Sequence, residues 1–231
     1  MLQATRRVAA VACVLLALAP EARAQRPASA FLDLPSQVPD YGGFLRYGRG
    51  NMPVVGSLNS FGAGVRAGRG EDLAGVGAAA FTGETLDGTG WGVDGVLGRR
   101  LRQPFPGQYG LGLGGRLAAA YTHIPTAVGT LKVVDASAAV GGGPYVPTPF
   151  GTVELWAMPR LQLRHLDNTS PGFHGTQNSV GPGLSFGAAY ISRSAVGKGV
   201  NVGGDVVGLK DPGSDHLRAR WSFAVELQLL R

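Results

Sequence analysis

Cysteine is all but missing from this chain: Cys13 is the only one, and it lies inside an N-terminal apolar stretch. The rest of the chain therefore holds no disulfide framework and no cysteine metal site. Charge is scarce as well. Charged residues make up 16% of the 231 positions, and lysine occurs only at 132, 198 and 210, whereas the surface of a soluble domain is about 25–35% charged. The basic excess is scattered without any long run of one sign, which argues against a nucleic-acid face. Long apolar runs are also lacking. Beyond the N-terminus none approaches the ~18 residues of a membrane-spanning helix, so a helical membrane protein is excluded.

The N-terminus reads as an export signal. Arg6 and Arg7 precede an apolar run from Val8 to Leu18, Pro20 breaks it, and Ala22-Arg23-Ala24 places small residues where a signal peptidase cleaves. The run is too short to cross ~30 Å of hydrocarbon as a helix. Cleavage is expected after Ala24; lipidation at Cys13 is the weaker alternative, because few apolar residues precede it. The signal takes Arg6, Arg7, Arg23 and Glu21 out of 21 basic and 15 acidic residues, leaving a mature charge near +4. Residues 25–40, rich in Pro and Ser, read as a flexible leader, and 41–231 as one domain.

Glycine is abundant, with 38 residues, far above the usual level of about 7%. Period-two alternation runs between these glycines and marks strands. It is strongest over 109–121, 150–164 and 221–229, and weaker segments at 42–48, 59–69, 73–83, 89–98, 129–140, 179–191 and 199–209 bring the total to ten. Asp87-Gly88, Pro104 to Gly107, Pro144 to Pro149 and Asp211-Pro212-Gly213 read as breaks between them. A parity change between Val133 and Val134 predicts a β-bulge, and Pro159 within a strong strand predicts a bulge or an irregular rung. The fold class expected is all-β: a closed antiparallel up-and-down transmembrane barrel of about ten strands, with eight as the alternative. With both termini inside, His165 to Ser179 becomes the longest outer loop and Gly70-Glu71-Asp72 a tight inner turn.

The face opposite the apolar one decides between a membrane barrel and a soluble one. It is mostly Gly, Ala and Ser, with Arg66, Asp94, Arg116, Glu154, Arg160, Arg164, Arg220 and Glu226 as its charges. Glycine lining an outer surface would leave backbone exposed, whereas inside a narrow barrel it makes room. The charges are therefore expected to face the lumen and pair across it, while apolar side chains face lipid. Trp91, Tyr109, Tyr121, Tyr190 and Trp221 lie near segment ends, where interfacial aromatics sit.

With its export signal, its alternation and the amphipathic C-terminal segment Trp221-Ser-Phe-Ala-Val-Glu-Leu-Gln-Leu, the chain resembles the bacterial small outer-membrane β-barrel superfamily over roughly residues 41–231. The resemblance implies an outer-membrane location, with membrane lipid and the barrel assembly machinery as partners; it brings no functional residues. The chain departs from the pattern at its end, which is Leu229-Leu230-Arg231 where such proteins carry a final aromatic.

Chemical motifs are few. Gly110-Leu-Gly112-Leu-Gly-Gly115 matches a dinucleotide fingerprint, but it lies within an alternating strand and no helix comes after it to meet a pyrophosphate. Asn168-Thr169-Ser170 reads as loop, and no nucleophile elbow or metal-ligand spacing occurs. His123, His165, His174 and His216 all fall at the expected outer rim, with Asp167 and Asp215 nearby. They are the only catalytic or metal candidates. The leading expectation is a non-enzymatic barrel without a cofactor, either structural or a narrow pore, since inward Arg–Glu pairs plug a small lumen more readily than they conduct. The alternatives are a rim-active membrane enzyme using those His and Asp residues, and a soluble exported barrel holding an apolar ligand.

Overall fold

The computed structural model describes residues 41–52, 55–102, 108–170, 173–192, 197–210 and 216–230. The expected export signal and leader lie outside these residues. Ten strands succeed one another: β1 (Tyr41–Met52), β2 (Gly56–Arg69), β3 (Asp72–Gly83), β4 (Gly90–Arg102), β5 (Gly110–Thr126), β6 (Gly129–Thr148), β7 (Gly151–Ser170), β8 (Phe173–Ser192), β9 (Gly197–Lys210) and β10 (Leu217–Leu230). Each pairs antiparallel with its neighbours in sequence, and β10 returns to β1, with Gly42 opposite Leu230 and Gly50 opposite Ser222. The barrel is closed, and the eight-strand alternative falls.

Alternation sets the two faces. Outward stand Leu45, Val65, Val76, Leu97, Leu117, Leu155, Leu161, Leu163 and Leu227, each at least half exposed. Inward stand the glycines and polar residues of the other parity. Lumenal glycine has a direct steric use at Gly64, where a Cβ would collide with the ring of Phe44.

Two apolar clusters interrupt the polar interior. One, of Val55, Leu58, Ile124, Leu131, Val133 and Leu166 with Leu86 against it, lies toward the mouth opposite the termini. A second apolar cluster of Ala139, Trp156, Met158, Ala189 and Ala224 lies toward the terminal end. Charged side chains occupy much of the remaining interior, and Glu154 and Glu226 lie on the terminal side of Trp156 and Ala224 along their strands.

Several local expectations are corrected. The segment from His165 to Ser179 is no loop: β7 and β8 continue as a hairpin to Ser170 opposite Phe173. Its outward residues, His165, Asp167, Thr176 and Asn178, are polar and so read as loop, yet the inward parity persists in Leu166, Asn168 and Ser179. Pro144 to Pro149 is likewise no break, because β6 runs on to Thr148. The β6–β7 register passes from Gly142 to Tyr145 with no rung at Pro144, whose missing N–H is thus accommodated.

No bulge separates Val133 from Val134. The register runs through unbroken, with Val133 inward in the first apolar cluster and Val134 outward. At Pro159 the irregular rung is found and the bulge is not: the rungs to β6 lapse there, while Arg160 opposite Ala139 and Ala157 opposite Gly142 keep one register. A register shift occurs instead in β4, between Arg100 and Arg102. The contrast of short inner turns and long outer loops is absent among the described residues, since the two-residue turns 70–71 and 127–128 lie at opposite ends of the barrel.

Candidate functional site

The densest grouping of functional side chains is the charged belt inside the barrel. Six arginines (46, 66, 116, 160, 164 and 220) and five acids (Asp94, Asp135, Glu154, Asp205 and Glu226) are buried there, and no lysine is among them. All eight charges singled out from the sequence, Arg66, Asp94, Arg116, Glu154, Arg160, Arg164, Arg220 and Glu226, lie on this inward face.

Strand neighbours deliver the partners. Arg66 on β2 reaches across β1 to Glu226 on β10 at 2.8 Å, and Gln228 donates to the same carboxylate at 2.7 Å. Arg46 on β1 meets Asp94 on β4 at 2.9 Å. That contact spans β2 and β3, and it needs Gly77, where a Cβ would strike the Asp94 carboxylate. On the other side of the lumen, Arg164 holds Asp135 through two hydrogen bonds of 2.8 Å, and Gln162 adds a third. Arg160 lies 3.2 Å from Asp205, Arg116 donates to Ser185 at 3.1 Å, and Ser185 donates to Asp205. The Phe44 ring sits among these groups, with the Arg66 guanidinium 4.4 Å from its centroid. Arginine suits this role because its planar fork engages a carboxylate bidentately and stacks on a ring, which a lysine cannot do.

Arg46, Asp135 and Asp205 were missed from the sequence. Their parity carries the signal: Arg46 shares it with Phe44 and Gly48, Asp205 with Asn201 and Gly203. Asp135 was obscured by the supposed shift at Val133 and Val134.

The rim candidates do not form one group among the described residues. His123 stacks on Trp91, with centroids 5.5 Å apart, and His165 Nδ1 lies 2.8 Å from Asn178 Oδ1. Asp167 stands opposite Lys132, which itself stands opposite His123. His123 and Asp167 are thus two strands apart, roughly 10 Å at the usual strand spacing and beyond hydrogen-bond reach. His216 is exposed, while the His174 side chain and Asp215 lie outside the described residues. Among the described residues no three His, Cys, Asp or Glu groups could hold a metal ion. The belt offers four buried Arg–carboxylate pairs, Arg46–Asp94, Arg66–Glu226, Arg160–Asp205 and Arg164–Asp135.

Aromatics mark both ends of the outer face. Tyr47 packs on Phe61 at 5.0 Å and Trp91 on Tyr121 at 5.5 Å toward one end; Tyr109 and Phe150 are exposed at the other, where Tyr190 donates to the Phe150 carbonyl.

No family model matches the chain, and no curated protein matches it. Among solved structures, Neisserial surface protein A is similar, with 12% identity over 83% of this chain and 96% of that one, at a TM-score of 0.40.

Proposed function

We propose that this chain is an integral outer-membrane β-barrel with a structural, non-enzymatic role and a lumen that does not conduct. The observation that carries the reading is inverted polarity: apolar side chains cover the outside, and the charges are buried inside in pairs. In water this arrangement would expose a wide apolar surface, far beyond the few hundred Å² that a soluble monomer tolerates. In hydrocarbon it is the stable one, because closure leaves no unpaired strand edge. The outward apolar residues of β10 run from Trp221 to Leu229, and about nine tilted residues match a band ~25 Å tall.

The non-conducting reading is supported by the buried Arg–carboxylate pairs inside the barrel and the apolar cluster toward the mouth opposite the termini. An ion crossing the lumen would have to break the Arg–carboxylate pairs and pass the apolar cluster around Leu58, Ile124, Leu131 and Leu166. The chain refolded into lipid vesicles is expected to partition with lipid and to migrate differently on a gel before and after heating. In planar bilayers it should give no stepwise current. Recovery in the aqueous phase with no heat shift would overturn the membrane reading, and reproducible unitary conductance would overturn the closed lumen.

A further inference from the structure

On the terminal side of the barrel, outward charges cluster at the ends of β2, β3 and β4. In the register of β2, β3 and β4, Asp72 lies between Arg69 and Arg99, and Glu71 occupies the adjoining turn. The β4 register shift adds to this group. Arg100 pairs with Gly114, whose parity is inward, but Arg102 pairs with Leu113, whose parity is outward, so the irregularity carries Arg102 onto the outer face. Re-aiming a side chain is a recognised use of such bulges. Three outward arginines therefore face two acids here, and the ion pairs of Arg99 to Glu71 and Asp72 are long, at 3.7 Å, and well exposed.

Two concavities indent the outer wall directly beside this sector. One, of about 670 Å³, is bounded by Leu97, Arg99, Gly115, Leu117, Val140 and Leu161. The other, of about 530 Å³, continues it past Leu97 and Leu117 to Val65, Val76 and Gly95. Outward Gly95 and Gly115 make the floor, and the leucines and valines make the walls. Arg99 stands at the edge of the larger one.

We propose that this sector is a binding site for one anionic glycerophospholipid, its acyl chains in the two grooves and its phosphate on Arg99 and Arg102. The site rests on the membrane reading above. Charge complementarity selects the occupant: a second barrel would have to match an exposed basic group with its own apolar wall, whereas an anionic lipid carries both chemistries in one molecule. Arginine further favours a phosphate through its paired N–H donors.

The test is native mass spectrometry of the intact folded chain, released from micelles containing palmitoyl-oleoyl phosphatidylglycerol or palmitoyl-oleoyl phosphatidylcholine. One phosphatidylglycerol should remain bound per barrel, with retention about tenfold above phosphatidylcholine. The double variant Arg99→Gln and Arg102→Gln changes only exposed side chains and should lose that preference. Gly115→Leu should lower retention of both lipids by filling the groove, since a Cβ there meets Val140 Cγ2 at an ordinary 3.4 Å. Equal retention of the two lipids, a preference that survives the arginine changes, or a barrel dimer in place of the lipid adduct would each overturn the site while leaving the membrane reading intact. A chain that stays soluble without detergent would overturn both.

Discussion

Glu226 has no exposed surface, and its carboxylate accepts from both Arg66 and Gln228. Val225 beside it belongs to the outer face. These neighbours are expected to fail for opposite reasons. Val225→Arg puts a charge against hydrocarbon and should destabilise by about 2–4 kcal/mol. Glu226→Gln leaves a buried arginine without its counter-charge and should cost about 3 kcal/mol. Replacing both partners, as Arg66→Met with Glu226→Leu, should restore most of the second loss, because a buried pair contributes little over well-packed apolar groups. Urea unfolding in vesicles, tracked by tryptophan fluorescence, measures these variants against the unaltered chain; a silent Glu226→Gln would mean a wet, open lumen. At this scale the sequence was legible wherever a charge shared parity with small residues in a strong strand, as Glu226, Arg160 and Arg164 do. It was obscure at Asp135, because two adjacent valines hide the alternation when one packs in an interior apolar layer and the other faces out.

Strand β6 approaches β7 so closely that a Cβ at Gly141 would collide with the Ala157 carbonyl, and one at Gly143 with the Leu155 carbonyl. Gly141→Ala is therefore expected to push the strands apart and cost about 1–3 kcal/mol, lowering the temperature at which the folded gel band disappears. Gly115→Ala, on the open outer wall, should leave that temperature unchanged; equal effects of the two would refute the close approach. The same part of the barrel shows why element boundaries were misread. Proline and glycine between 141 and 149 look like a turn, because both are poor strand formers, yet glycine is what the tight β6–β7 contact requires. The polar run after Arg164 looked like a loop for another reason. Beyond Leu163 the outer face of β7 turns polar, and hydrophobic alternation fades although the hydrogen-bonded ladder continues to Ser170.

The whole molecule is organised as a barrel with buried, largely paired charges within and apolar side chains without. Strand number, closure and the sense of the two faces were readable because they rest on parity repeated over ten segments. Strand lengths and the interior apolar clusters were not, since they depend on which segments lie side by side. Strand β7 crosses every zone on its outward positions: Leu155, Ala157, Leu161 and Leu163, then His165, Asp167 and Thr169. Spin labels placed singly at these positions, in the chain reconstituted into bilayers, test the arrangement most directly. Oxygen, which concentrates in hydrocarbon, should relax labels at 155, 157, 161 and 163 more than a water-soluble nickel chelate does. The order should reverse at 165, 167 and 169. A chelate that dominates at all seven positions would place the outer face in water and contradict the membrane barrel.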